Sequence, residues 1–279
     1  MSKKVIFLDV DGTLVNDNGV VPESAKDAVR QARNNGHYVF LCTGRSKAEI
    51  YDEIMEIGFD GVIGAAGGYI EVNNEIILHK KVDREDVEHL VNYFDKNNID
   101  FYLESNGGLF ASKNCKKTLN KLVFEGVDKD SKLYKELEKG IGQFIEALIE
   151  GEDLIRDDIN KISFLDSETS IETIRDEFKD KFNVIHCTVP MFGENSGELS
   201  VPGVHKALAI EYLIEHLGLS KETTFAYGDG INDMEMLQYV NYGIAMGNAN
   251  EALKEIACDI TGTHDEDGIY NSFKKYRLI

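Results

Sequence analysis

Hydrophobic and polar positions near the start of the chain follow two different periods. The run Val5–Leu8 has four apolar residues, too few for a buried helix, and favours a strand buried on both faces of a parallel sheet. Small apolar residues then recur at helical spacing between Pro22 and Gly36, which suit the first turn and the C-terminal end of a helix. Residues 37–42 predict a second buried strand.

The next part of the chain continues this alternation. Ser46 and Glu49 have the spacing of a capping box, which predicts the start of a second helix. Residues 69–78, with two asparagines at their centre, are typical of a β-hairpin. A third short strand is predicted at residues 61–63, and the resulting βαβαβ order predicts the beginning of a doubly wound sheet. The buried stripe of the second helix would consist of Ile50, Ile54 and Ile57.

Near residue 83 the pattern changes to charged helical segments that alternate with strand-like runs. This texture predicts a separate α+β module, and the α/β rhythm resumes near Gly197. We therefore expect an α/β core domain with a doubly wound, mostly parallel sheet, formed by residues 1–82 and 197–279. The inserted α+β cap domain would comprise residues 83–196. The extended stretch 198–201 is assigned to the core.

Composition narrows the class of protein. The chain has 279 residues, and its 50 acidic and 30 basic residues give a formal charge of −20. This charge disfavours nucleic acid or an anionic membrane as a partner, and an anionic substrate would need a local metal ion or placed Lys and Arg residues. The four cysteines form no CxxC pair, and neither a signal peptide nor a membrane span is predicted. We therefore expect a cytoplasmic protein with reduced thiols.

Pairs of carboxylates directly follow two of the predicted strands. Asp9 and Asp11 follow the first strand, and Asp229 and Asp233 follow the strand 224–227. Open α/β sheets bind ligands at the C-terminal ends of their strands. Four carboxylates at this edge would repel one another unless a cation lies among them, and a hard ion such as Mg²⁺ is the simplest choice. Asp9 would then be able to act as a nucleophile.

Candidate ligands for an anionic substrate occur at other element ends. Lys206 follows a Pro-Gly break at the start of a predicted helix and could pair with a phosphate, although a lone lysine is more often a solvated helix residue. Thr43 and the amide of Gly44 could bind phosphate oxygens, or they could form an ordinary turn that begins a helix. Arg45 could be a phosphate ligand or only a surface charge, and we favour the surface charge.

Four ordered motifs in this chain resemble those of the haloacid-dehalogenase-like phosphatases. The insertion at 83–196 lies between the second and third motifs, and this spacing resembles that of the Cof-type branch of the family. The pattern of core, cap and core covers the whole chain, and the four motifs together are more specific than any one of them. The motifs are Asp9-Val10-Asp11-Gly12-Thr13, Thr43, Lys206 and Gly228-Asp229-Gly230-Ile231-Asn232-Asp233.

The resemblance implies a role for each matching residue. Asp9 would be the nucleophile that becomes an aspartyl-phosphate, and Asp11 the general acid and base that protonates the leaving alcohol and later activates water. Asp9, the main-chain carbonyl of Asp11, and Asp229 would be the Mg²⁺ ligands, and Asp233 would support the ion through water. The phosphate would be held by Thr43, Gly44, Lys206 and Asn232.

The chain departs from the family pattern at two positions. Ala66-Gly67 stands where many relatives have Asn-Gly, and Ala207 stands where a glycine is common. Neither change touches the phosphate chemistry, but both bear on which leaving group is accepted. Residues 265–268 resemble an acidic loop of this branch, although a turn that begins a helix explains them equally well.

The predicted function is a Mg²⁺-dependent phosphatase that hydrolyses small phosphorylated metabolites, such as sugar phosphates, through an aspartyl-phosphate intermediate. A phosphomutase acting on sugar phosphates stays open, as does a non-catalytic regulator that binds a phosphometabolite. The sequence leaves open the identity of the alcohol, the cap residues that contact it, and the oligomeric state.

Overall fold

The computed structural model describes residues 3–16, 19–187 and 189–279. The chain divides into two compact units. The first consists of the chain up to Arg45 together with Ile50–His79 and Val204–Ile279, and the second consists of Ser46–Glu49 and Lys80–Gly203. The expected fold class, an α/β core with an inserted α+β module, is confirmed.

The first unit begins with alternating strands and helices. The first three strands are buried, because parallel strands are covered on both faces. The predicted hairpin is confirmed, and its two-residue turn consists of Asn73 and Asn74, both with positive φ. The elements are β1 (Val5–Leu8), α1 (Glu23–Asn34), β2 (Tyr38–Cys42), α2 (Asp52–Met55), β3 (Gly61–Gly64), β4 (Tyr69–Val72) and β5 (Glu75–His79).

The second unit is built around a six-stranded sheet of its own. Its elements are α3 (Arg84–Lys96), β6 (Phe101–Ser105), β7 (Leu109–Ala111), α4 (Cys115–Phe124), α5 (Lys132–Leu137), a π-helical turn (Glu138–Gly142), α6 (Gln143–Ala147), β8 (Leu148–Glu150), β9 (Ile159–Phe164), α7 (Ile171–Phe178), β10 (Asn183–His186) and β11 (Gly197–Ser200). The strand order is β10-β11-β9-β6-β7-β8, and only β7 and β8 pair in parallel. Apolar residues of α3 and α7 pack with the strands in one core.

The last part of the chain completes the first unit. It adds α8 (Lys206–His216), β12 (Thr224–Gly228), α9 (Met234–Tyr239), β13 (Tyr242–Ala245), α10 (Glu251–Ile256), β14 (Asp259–Ile260) and α11 (Gly268–Lys275). The eight strands have the order β14-β13-β12-β1-β2-β3-β4-β5, parallel from β14 to β3. Within the described ranges, no helix has the length and apolar character needed to cross a bilayer.

The strand order of the first unit changes direction between β1 and β12. From β1 the chain moves to β2 and β3 on one side, and from β12 it moves to β13 and β14 on the other. Such a switch point leaves a crevice at the C-terminal ends of the two central strands, where open α/β sheets bind ligands. The carboxylates that follow β1 and β12 therefore meet at this edge.

The stretch after residue 196 differs from the sequence expectation. Gly197–Ser200 is β11, which pairs antiparallel with β9 and β10 in the second unit, whereas the sequence assigns it to the core. The second unit accordingly extends through Gly203, and it begins at Lys80 where the sequence expects residue 83. A strand's own pattern shows that it is extended but does not show which sheet it joins.

The predicted helix at 46–57 is also interrupted. A short 3₁₀ turn, Lys47–Glu49, precedes the four-residue α2, although the isoleucine stripe is buried as expected. Half of the capping box forms, since Glu49 accepts the N–H of Ser46 at 2.8 Å. The Ser46 hydroxyl instead bonds within the second unit, to Glu104 at 3.3 Å and Asn160 at 3.0 Å. These tertiary contacts replace the bond that would cap a continuous helix.

Candidate active site

Three carboxylates converge at the switch point of the first unit. Asp9 directly follows β1, and its N–H donates to the carbonyl of Tyr227 in β12 at 3.0 Å. One carboxylate oxygen from each of Asp9, Asp229 and Asp233 lies within 4.8 Å of the other two. Asp9 and Asp233 are 5% and 0% exposed, so these two carboxylates lie out of bulk water, whereas Asp229 is partly exposed. The geometry brings together residues that are more than 200 positions apart in the sequence.

Lys206 lies at the centre of this group. Its Nζ is 2.6 Å from Oδ1 of Asp9 and 2.6 Å from Oδ1 of Asp233, and its side chain is 1% exposed. Lys206 is the first residue of α8, which begins after His205, whose Nδ1 accepts the N–H of Leu208. A lysine is rarely this buried unless it is paired. Lys206 is therefore an ion-pair partner of the site and not a solvated helix residue.

Burial and mutual repulsion shift the protonation of this group. Burial, together with the charge of Asp233, raises the pKa of Asp9 to about 8. Burial also raises the pKa of Asp229 to about 6, although the hydrogen bond from Thr13 opposes the shift. Burial alone would lower the pKa of Lys206, but the charges of Asp233 and Asp9 outweigh it and raise that pKa above its usual range. If all three carboxylates were ionised, they would hold more negative charge than one ammonium group balances.

Asp233 fixes the loop that follows β12. Its Oδ1 contacts Lys206, and its Oδ2 accepts the N–H groups of Asp229 and Gly230, each at 3.0 Å. A Cβ on Gly228 would lie 2.5 Å from Cγ of Asp233, so glycine is required for the carboxylate to fold back against its own strand. Asp233 therefore orients Asp229 through the main chain.

The turn after β1 packs against Asp229. The hydroxyl of Thr13 donates to Oδ1 of Asp229 at 2.8 Å. Gly12 has φ +74°, and a Cβ there would lie 2.2 Å from Oδ2 of Asp229. The Gly12 carbonyl accepts from Nδ2 of Asn248 at 2.7 Å, and Asn248 also accepts the N–H of His264 at 3.3 Å. The sequence reasoning missed Asn248, whose position just beyond β13 is the same strand-end signal that identified the aspartates.

Residues 265–268 form the turn that leads into α11. Glu266 accepts the N–H of Thr263 at 3.2 Å in a capping-box arrangement, and Asp265 accepts from Asn16 at 3.0 Å. These contacts match the simpler of the two sequence interpretations, a turn that begins a helix.

The proposed phosphate ligands occupy neighbouring positions at the same sheet edge. Thr43 follows β2, which pairs with β1, and it is 1% exposed. Its Oγ1 accepts the N–H of Arg45 at 3.1 Å. A Cβ on Gly44 would lie 4.0 Å from Nδ2 of Asn232, so Gly44 faces this exposed side chain. These residues lie on loops after β2 and β12, as their positions in the sequence predict.

Asp11 has a different environment from the other aspartates. Its carboxylate is bound by both arms of the Arg45 guanidinium, with Nη2 to Oδ1 at 2.6 Å and Nε to Oδ2 at 3.0 Å. The Asp11 side chain is 62% exposed and does not belong to the group of three carboxylates. The interpretation of Arg45 as a plain surface charge is therefore wrong. The metal role that the resemblance implies for Asp11 belongs to its main-chain carbonyl and not to this carboxylate.

The donor set at this edge suits a hard divalent cation. Every candidate ligand atom in the group of three is a carboxylate oxygen, which Mg²⁺ and Ca²⁺ prefer and softer metals do not. With all groups ionised, the four aspartates and the two cations Lys206 and Arg45 leave two negative charges. A divalent ion would neutralise this excess, so the residues fit such an ion.

Comparisons with known proteins agree with this site. The chain matches the family model of the haloacid dehalogenase-like hydrolases over residues 6–273. The 5-amino-6-(5-phospho-D-ribitylamino)uracil phosphatase YcsE of Bacillus subtilis is 30% identical over 99% of this chain and 96% of its own. A hypothetical protein of Geobacillus kaustophilus has a solved structure with a TM-score of 0.81 and 25% identity, covering 100% of both chains. The subclass IIB sugar phosphatase BT4131 shares the fold, with a TM-score of 0.74 and 24% identity over 99% and 100% of the two chains.

The chain belongs to the haloacid dehalogenase-like hydrolases, as the four motifs predict. The enzyme class expected from the sequence, a phosphoric monoester hydrolase, is confirmed. Phosphatases of this family generally use a divalent metal ion, and the three carboxylates around Lys206 match that requirement.

Proposed function

We propose that this enzyme hydrolyses small phosphomonoesters such as sugar phosphates, with Mg²⁺ as its metal ion and Asp9 as the nucleophile. The observation that carries the proposal is the position of the Asp9 carboxylate, which is buried at the switch point with Nζ of Lys206 at 2.6 Å. A nucleophilic carboxylate must be ionised and held in place. The ammonium group of Lys206 orients Asp9 and acts to lower its pKa, and a bound divalent ion would add to this effect against the burial that raises it.

The metal ligands in this proposal are Asp9, Asp229 and the main-chain carbonyl of Asp11. Asp233 lies behind them, where three of its hydrogen-bonding positions are already taken by Lys206 and two main-chain N–H groups. When bound, a divalent ion supplies positive charge that offsets the repulsion between a phosphate and the carboxylates. An all-oxygen donor set favours Mg²⁺ over softer metals.

The reaction proceeds in two displacements at phosphorus. In the first, an Asp9 oxygen attacks, the bond from phosphorus to the alcohol oxygen breaks, and Asp11 gives its proton to that oxygen. In the second, Asp11 takes a proton from water, the water oxygen attacks, and the bond from phosphorus to Asp9 breaks. Inorganic phosphate leaves and both aspartates return to their starting state. Phosphate oxygens would be held by Thr43, Gly44, Lys206 and Asn232.

Two observations support a small phosphorylated metabolite as the substrate. The relative YcsE is named for a compound that carries a phosphoribityl group, which is a phosphomonoester of a polyol chain. The net charge of −20 opposes nucleic acid as a substrate, because like charges repel over a surface of this size.

The four cysteines are free thiols, which agrees with a cytoplasmic location.

A phosphate-release screen tests the proposal. The protein is incubated with a panel of phosphomonoesters in the presence of Mg²⁺ or of EDTA, and Asp9→Asn serves as the blank. Asp176→Asn, on the exposed surface of the second unit, is the matched control. We expect Mg²⁺-dependent release that Asp9→Asn abolishes and Asp176→Asn leaves unchanged. Release that survives EDTA or Asp9→Asn would contradict the mechanism, and sugar phosphates that interconvert without phosphate release would indicate a mutase.

A further inference from the structure

We propose that Arg45 is a positioning residue that holds the Asp11 carboxyl in place for proton transfer to the leaving alcohol. The proposal rests on the acid role given to Asp11 above. It predicts that the importance of Arg45 depends on how much the departing oxygen needs a proton.

The contact between the two side chains has the geometry of a clamp. Two hydrogen bonds, at 2.6 and 3.0 Å, join the guanidinium to the two oxygens of one carboxylate. A bidentate pair of this kind fixes both the position and the plane of the carboxylate, which a point charge such as lysine does not. Asp11 is otherwise largely exposed, and a short exposed side chain without such a partner would sample several rotamers.

Arg45 is itself held in place from three directions. Its main-chain N–H donates to Oγ1 of Thr43 at 3.1 Å, and its carbonyl accepts the N–H of Ala65 at 2.7 Å. Its Cζ lies 5.5 Å from the centre of the Tyr51 ring, within the range of a cation–π contact. The side chain of Arg45 is 20% exposed against 62% for Asp11. The arginine is therefore the fixed partner and Asp11 the residue whose position is determined.

The clamp is compatible with the proton transfer. When Oδ2 of Asp11 carries the proton, Oδ1 can still accept the shorter hydrogen bond from Nη2 of Arg45. Only the bond to Nε is lost, and the carboxyl stays oriented. The proton then moves from Oδ2 to the oxygen of the departing alcohol as the bond from that oxygen to phosphorus breaks. Arg45 takes no part in the bond changes.

Two substrates of different leaving-group chemistry test this role. The phenolate of p-nitrophenyl phosphate departs without a proton, whereas an alkyl alcohol requires one from the acid. For Arg45→Gln we expect kcat/KM to fall roughly 10- to 100-fold with the best alkyl phosphate of the panel, and less than about threefold with p-nitrophenyl phosphate. Arg45→Lys keeps the charge but loses the fork, so it should restore little of the alkyl activity.

The matched control is Arg33→Gln. Arg33 makes a similar bidentate pair with Asp60, at 2.9 and 3.0 Å, in the same unit. Neither residue lies at the C-terminal end of β1 or β12, where the aspartates of the site are found. This variant should leave the ratio of the two kcat/KM values unchanged. A double variant, Asp11→Asn with Arg45→Gln, should be no slower with the alkyl phosphate than Asp11→Asn alone, because Arg45 acts through Asp11.

The outcomes separate this proposal from the proposed function. An equal fall with both substrates would overturn the positioning role and make Arg45 a substrate ligand, and unchanged ratios in Arg45→Gln would make the pair a surface contact. Retention of activity in Asp9→Asn would instead overturn the proposed function. The thermal midpoint of each variant shows that it is folded, since an exposed pair contributes no more than about 1 kcal/mol.

Discussion

Replacing Lys206 by methionine removes the only cation that contacts both Asp9 and Asp233 in the described structure. Methionine keeps most of the length and apolar volume of lysine without the charge. The three side chains are 1%, 7% and 0% exposed, and both ion-pair distances are 2.6 Å. The substitution therefore leaves two buried carboxylates without the charge that stabilised them.

The expected loss can be estimated from this burial. Removing one partner of a buried ion pair costs about 3–5 kcal/mol. Asp9 can reduce the penalty by staying protonated, because its pKa is already raised to about 8, so the lower end of that range applies at pH 7. For a folding unit of this size 1 kcal/mol corresponds to roughly 2–4 °C in Tm. We therefore expect Lys206→Met to lower the Tm by roughly 6–12 °C in metal-free buffer.

Thermal unfolding followed by circular dichroism in EDTA at pH 7 measures this loss. Lys254→Met is the control, because Lys254 pairs with Glu251 on the surface of α10, where the partner is 85% exposed. The control should change the Tm by less than about 2 °C, as expected for an exposed pair. If Lys206→Met unfolds within the same margin, the buried carboxylates do not depend on Lys206 and the reasoning is refuted.

Three further predictions concern the same site and its loops. The raised pKa values of Asp9 and Asp229 mean that the native state holds more protons than the unfolded state between about pH 4 and 8, so the Tm of the metal-free protein should fall as pH rises through this window. Mg²⁺ should therefore raise the Tm more at about pH 8 than at about pH 6. Equal shifts in Tm at the two pH values would contradict the assignment of Asp9 and Asp229 as metal ligands. Gly12→Ala should lower the Tm by more than Gly126→Ala. Both positions have positive φ, where an alanine costs about 1–2 kcal/mol, but only a Cβ on Gly12 would meet a carboxylate, at 2.2 Å. Equal Tm changes would show that Asp229 moves aside freely. Ala66→Asn should raise the Tm by about 1–3 °C, because φ is +54° at this position and asparagine tolerates the left-handed region better than alanine; a lower Tm in a thermal melt would contradict this.

Much of the first unit could be predicted from local pattern. Continuous apolar runs identified β1 and β2, since strands buried on both faces carry no polar face. The order of strands and helices predicted the doubly wound sheet, and parallel strands end at a common edge, which brought Asp9 and Asp229 together. The second unit could be recognised as a module of its own, but not how its sheet is ordered.

Other features could not be predicted because they depend on partners that are distant in the sequence. Ser46 and Glu49 have capping-box spacing, yet the Ser46 hydroxyl bonds to Glu104 and the helix breaks. β11 has an ordinary extended pattern, and only its hydrogen bonds to β9 and β10 place it in the second sheet.

The sequence by itself determined the fold class, the family and most of the residues at the strand ends, because the periodicity of an element and the residues of a motif can be read without knowing which segments meet in space. The tertiary structure alone decided what these residues do to one another. It buried Lys206 between two carboxylates, folded Asp233 back onto the main chain of Asp229, and paired Arg45 with Asp11. Charge interactions depend on distance and burial, and neither quantity is a function of sequence separation.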